Sequence, residues 1–191
     1  MTKGRLEAFS DGVIAILITI MVLELRAPQG ASLSALRAVI PSLLVYVLSF
    51  IYLGIYWSNH HHLLQLAERV NGAVLWANLH LLFWLSLIPF ATAWMGENHY
   101  APVPTALYGA LMVLCGVAYT ILQRTIIAAQ GDDSKLARAI GSDRKGKTSL
   151  VLYLAAIPLA FVQPLISDAI YVIVALVWLV PDRRIERVAS P

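Results

Sequence analysis

Residues 5–25 read RLEAFSDGVIAILITIMVLEL. Arg5, Glu7, Ser10 and Asp11 crowd the start, and an apolar run follows in which only Thr19 and Glu24 are polar. A bilayer-spanning helix needs about 20 mostly apolar residues, and this stretch qualifies. Lys3 and Arg5 precede the run as in a secretory signal. However, Glu7 and Asp11 interrupt its start and no small-x-small cleavage site precedes Arg26, so the segment reads as a retained helix.

Outward from this helix the pattern repeats. Hydropathy predicts further spans over about 34–62, 74–94, 101–127, 148–162 and 164–180, the last two divided by Gln163-Pro164 and each at the short end of the spanning range. The expectation is an all-α integral membrane protein of six transmembrane helices, a single domain over residues 1–191. Composition agrees: the chain is 59% hydrophobic and only 13% charged, with a mean hydropathy of +0.73. Soluble domains carry about twice that charge, and a chain this short in water would be left coating itself with Leu, Ile and Val.

The basic residues set an orientation. With the N-terminus in the cytoplasm, only Arg26 and Arg37 of the 14 Lys and Arg residues fall outside. Such a skew is the positive-inside pattern, and it predicts a multi-pass inner-membrane protein with both termini cytoplasmic. The mixed-charge segment 131–147, with Asp132, Asp133 and Asp143, reads as a cytoplasmic connector. The tail after Pro181, with Arg183, Arg184 and Arg187, reads as a frayed end. Because Lys and Arg lie between apolar runs, topology accounts for the basic balance and nucleic-acid binding does not. The single cysteine, Cys115, excludes an intrachain disulfide and a cysteine metal cluster. Trp57, Trp94, Tyr100 and Tyr153 read as interfacial belts.

Successive helical residues turn about 100°. Ile16, Thr19, Ile20 and Leu23 therefore share one face, while Asp11 lies about 140° from Ile16 and Ser10 about 120° away on the other side. Two readings of the charged start are open. Arg5, Ser10 and Asp11 sit in the interface with Arg5 snorkelling, or they fasten the helix from behind through interhelical bonds. The apolar stripe is likewise either lipid-facing packing or the lining of something.

At these residues the chain resembles the prokaryotic members of the transmembrane protein 175 family, potassium-permeable channels related to the lysosomal potassium channel. The family's Arg-x-x-x-Phe-Ser-Asp motif is matched by Arg5, Phe9, Ser10 and Asp11. A second block follows in Trp57 and His60-His61, then Trp76, Asn78, Leu82, Pro89 and Phe90. The resemblance covers most of residues 5–94; beyond it only hydropathy and loop pattern agree. It implies a homotetramer in a lipid bilayer with the first helices around a central pore passing monovalent cations. It implies a hydrophobic constriction at Ile16, a hydroxyl lining at Thr19 and further apolar layers at Ile20 and Leu23. It also implies an interhelical network drawn from Arg5, Phe9, Ser10, Asp11, His60, His61, Trp76 and Asn78. Potassium is then the permeant ion, no cofactor is needed, and no metal is held apart from permeating potassium.

Two other classes compete. The histidines invite a metalloenzyme, since imidazole is a common ligand. But His60, His61 and His62 spread over about 200° of helix and cannot converge on one ion, and no His-Glu-x-x-His pattern occurs; enzymatic function is not expected. A proton- or cation-coupled carrier is the alternative to a channel. The Gln163-Pro164 break fits a carrier's discontinuous helix, yet it has no counterpart in the first half. No Thr-Val-Gly-Tyr-Gly filter is present, so any potassium preference must come from elsewhere.

Overall fold

Proline placement decides where the apolar runs bend. The computed structural model describes residues 2–131, 134–141 and 143–180; Asp132, Asp133, Arg183, Arg184 and Arg187 lie outside the described residues. Every element among the described residues is helical: α1 Lys3–Leu23, α2 Leu33–Arg37, α3 Ile40–Gln65, α4 Gly72–Ser86, α5 Ile88–Glu97, α6 Pro102–Gln130, α7 Lys135–Ile140, α8 Arg144–Val162 and α9 Pro164–Leu179.

The expected helix over 34–62 is divided. A proline ring clashes with the carbonyl four residues before it, so Pro41 stops α2 at Arg37 and opens α3. α3 then runs on to Gln65, past the expected end. Pro89 interrupts the span expected over 74–94 in the same way, dividing it into α4 and α5 at Leu87. The segment 131–147 is not all connector. It holds α7, whose Leu136 is fully buried, and the first turn of α8.

Among the described residues, five stretches are long and apolar enough to cross a membrane: Lys3–Leu23, Ile40–Gln65, Gly72–Glu97, Pro102–Gln130 and Arg144–Val162. α9 is a shorter apolar helix of 16 residues, about 24 Å long at 1.5 Å per residue. Ser167 bonds the Ala156 carbonyl at 2.7 Å and Trp178 bonds Ser149 at 2.8 Å, so α8 and α9 pack antiparallel along their length.

Polar contacts sort the helix ends into two groups. At one end Lys3 reaches the Gln65 carbonyl and Gln130 the Leu66 carbonyl. At the other, Tyr100 bonds the Pro41 carbonyl and Arg26 pairs with Glu97 at 3.1 Å. That ion pair is exposed and worth little.

The interior behind α3 is held by tyrosines. The Tyr52 hydroxyl donates to the Tyr171 carbonyl at 2.5 Å, and the Tyr171 hydroxyl donates to the Thr105 carbonyl at 3.0 Å. Tyr108 bonds Ser49, which accepts from Thr92. Tyr153 is buried against the rings of Tyr52 and Tyr171 and belongs to this core, not to an interfacial belt. Hydropathy cannot separate the two roles, because an amphipathic ring suits either a wet interface or a core with a hydrogen-bond partner.

At Gly96 the end of α5 approaches the start of α3, and an added Cβ would stand 2.7 Å from Ser42 Cα. That neighbour is backbone and cannot turn aside. Gly96→Ala should therefore destabilise the fold by about 1–3 kcal/mol, the usual cost of overpacking. Gly54→Ala, with nothing within 4 Å of its Cβ, should be neutral or stabilising. Thermal unfolding in detergent, followed by tryptophan fluorescence, checks both.

Candidate functional site

α1 has two unlike faces. Leu6, Ser10, Ile14, Leu17 and Met21, spaced by three and four residues, are buried in the bundle. Ile16 is 56%, Ile20 40% and Leu23 78% exposed, and Thr19 is exposed with them. The protomer thus turns this stripe away from its own core. The Thr19 hydroxyl donates back to the carbonyls of Ala15 and Ile16 at 3.1 and 2.9 Å.

The buried face carries the interhelical network. Ser10 Oγ donates to the Leu6 carbonyl at 2.9 Å within its own helix. Asn78 Nδ2 of α4 donates to Ser10 Oγ at 2.9 Å. Asn78 Oδ1 then accepts from His60 Nε2 of α3 at 2.7 Å. The amide fixes the direction of the chain: its NH2 is used on Ser10, so its oxygen faces His60 and the imidazole proton sits on Nε2. All three side chains are at most 1% exposed. His60 Nδ1 is buried and has no partner among the described residues.

A second contact fixes α1 one residue further along. Trp57 Nε1 donates to Asp11 Oδ1 at 3.0 Å. His61 stacks on Trp57 with ring centroids 6.1 Å apart, and bonds Gln65 at 2.9 Å. The structure therefore brings Ser10, His60 and Asn78 together and places Asp11 and His61 around Trp57. Arg5 and Phe9 are exposed, and Trp76 is 75% exposed, so within one protomer these three stand outside the network. Trp57, read from the sequence only as a belt residue, also holds Asp11 through its indole N–H. Its place in the block with His60 and His61 was the available signal. Among the described residues no three His, Cys, Asp or Glu side chains could hold a metal ion.

Comparison with known proteins bears on the whole chain. A family model described as "Endosomal/lysosomal potassium channel TMEM175" matches residues 5–89. A potassium channel of Chryseobacterium sp. (strain P1-3) is 55% identical over 187 residues, covering 98% of this chain and 97% of that one. A potassium channel of Chamaesiphon minutus is 30% identical over 188 residues, with 91% of each chain covered. The crystal structure of a lysosomal potassium-selective channel TMEM175 homolog from Chamaesiphon minutus superposes with a TM-score of 0.82 at 29% identity, over 94% of this chain and 97% of that one.

Asn78→Leu removes both bonds of the amide and strands the buried His60 N–H. An unmade buried hydrogen bond costs about 1–3 kcal/mol, so Tm should fall. In the double variant with His60→Leu no donor is left stranded, and the loss should be smaller than the sum of the two single losses. Additive losses in thermal unfolding would show that His60 and Asn78 do not act as a pair.

Proposed function

The chain belongs to the TMEM175 family, and from that premise we propose that it is a potassium channel whose ion path runs along the exposed face of α1. The family is one of ion channels and not of enzymes. Potassium ions are the permeant species, and no cofactor enters. The observation that carries the reading is that α1 buries one face by hydrogen bonding and packing while presenting Ile16, Thr19, Ile20 and Leu23 outward.

One protomer cannot enclose a path with an outward stripe. A homotetramer can, by setting four copies of α1 around a common axis. Six crossings per subunit complete the reading, with α9 as the short sixth, in the inner cell membrane and with both termini cytoplasmic. The excess of Lys and Arg at the end of the bundle that holds Lys3, Lys145 and Lys147 supports that orientation. Arg5, Phe9 and Trp76, exposed in the protomer, would then meet the neighbouring subunit.

The proposed mechanism follows from side-chain chemistry. A ring of four Ile16 side chains narrows the path and excludes water, and apolar constrictions of this kind gate by dewetting. The stripe from Ile16 to Leu23 is about 10 Å long at 1.5 Å per residue, so the dry neck is short. An ion crossing it sheds part of its hydration, and potassium holds water less tightly than sodium. Thr19 contributes in a defined way. Its proton is used on its own helix, so the oxygen presents lone pairs outward, one turn beyond Ile16. Four such oxygens suit a cation. Ser10, His60 and Asn78 are positioning residues: they set the rotation of α1 and hence the width of the neck.

Two measurements test this reading. Purified protein in liposomes should pass potassium, and Ile16→Asn should wet the neck. Removing even about 1.4 kcal/mol of barrier gives roughly tenfold faster flux. An Ile16→Asn protein no leakier than the parent would remove the constriction. Native mass measurement should give four chains, and a monomer in lipid would remove the shared axis.

A further inference from the structure

A cavity of about 330 Å³ lies on the side of α3 away from α1, walled by α3, α6 and α8 with Trp178 of α9. It opens toward the basic end of the bundle, where α3 and α6 end and α8 begins. Its lining is mixed in character. Arg124 and Lys147 belong to its lining, both exposed and neither in an ion pair among the described residues. Other walls are aromatic and hydrogen-bonding.

Gln123 is the informative side chain. It lines the cavity, is 6% exposed, and its amide has no hydrogen-bond partner among the described residues. The amide is not sealed within protein; it borders the cavity and is open there to a polar atom of a bound molecule. Tyr119, by contrast, uses its hydroxyl on the Asn59 carbonyl at 3.1 Å. The volume is at the lower end of the range for small-molecule sites, which are typically apolar with a few placed polar groups.

One acidic group also faces the cavity. Asp143 Oδ1 accepts from Gly146 N at 3.1 Å, capping α8. The helix end is thus already occupied, and the two cations, not the helix terminus, are what remain for an anion. Arg offers a planar fork that matches phosphate oxygens, and Lys adds a point charge.

We propose that this cavity binds an amphiphilic phosphate, its phosphate held by Arg124 and Lys147 and its body reaching Gln123 between the aromatic walls. The site is separate from the proposed ion path and does not depend on it. The phosphate comes from an anionic lipid of the adjoining leaflet or from a soluble single-chain phosphate, and the two are separable. Thermal unfolding of the intact protein in detergent is followed with octyl phosphate, with dioctanoyl phosphatidylglycerol, and with dioctanoyl phosphatidylcholine as the zwitterionic control. Binding at several times Kd should raise Tm by roughly 2–4 °C. A rise with phosphatidylglycerol alone assigns the site to a lipid; a rise with octyl phosphate as well assigns it to amphiphilic phosphates in general. In the Arg124→Gln and Lys147→Gln proteins, whose changes are exposed, the rise should vanish while the unliganded Tm stays put. Gln123→Leu should keep or raise the unliganded Tm and reduce the rise. No rise with either anion, an equal rise with phosphatidylcholine, or a rise that survives both charge removals would overturn the proposal.

Discussion

The bond between Ser10 and Asn78 is the constraint on which the placement of α1 depends. Inside a bilayer no bulk water competes for a buried amide, so a partner once lost cannot be replaced cheaply. Ser10 is fully buried, accepts from Asn78, and Asn78 is in turn held by His60. A helix pinned at one such point has little rotational freedom, because slipping by one residue swings every side chain through about 100°. With Ser10 facing inward, Ile14, Leu17 and Met21 follow it into the core at intervals of four, three and four residues. Ile16, Thr19, Ile20 and Leu23 are then obliged to face outward. The outward stripe is a consequence of the inward bond. The Trp57–Asp11 contact adds a second fixed point at the next residue of the same helix.

The two halves of the protomer solve the burial of polar groups differently. Around α1 a hydroxyl, an amide and an imidazole from three helices satisfy one another in a directed chain. Behind α3 the work falls to tyrosines whose hydroxyls donate to backbone carbonyls of α6 and α9. A tyrosine brings a large apolar body with one polar tip, so it can fill space between helices and tie them with a single donor. The first arrangement specifies rotation, since it needs three particular side chains to coincide. The second specifies distance, since a carbonyl is available at every turn. Gly109 shows how close the fit is: a Cβ there would run into the Tyr171 hydroxyl.

Hydropathy made the helical membrane architecture legible, and the interval of three and four residues made the Ile16 stripe legible as one face. Neither could say which face looked inward. The separation of Ser10 from Ile16 by about 120° became meaningful only once Asn78 was seen opposite Ser10. The helix breaks at Pro41 and Pro89 were in plain view as residues. Apolar runs on both sides hid them, because a hydropathy window reads through a kink. Hydropathy alone assigns Tyr153, an aromatic near a helix end, to the belt. Only its ring contacts with Tyr52 and Tyr171 show that it faces the core. The cavity left no trace in the sequence at all, since its walls come from segments up to more than a hundred residues apart.

α3 is the element common to both halves. Tyr56 and Asn59 line the cavity, while the neighbouring positions Trp57 and His60 hold α1 and, through Asn78, α4. Adjacent residues on a helix point about 100° apart, which is how one helix presents a cavity wall on one side and an anchoring face on the other. The two sides cannot move independently. A rotation of α3 that widened the cavity would draw the Trp57 indole away from Asp11 and the His60 ring away from Asn78. The buried His60 donor would then be left unpaired in a medium that offers no substitute. The penalty for such a rotation falls on the bonds that orient α1, so the stiffness of the anchoring face also sets the shape of the cavity behind it.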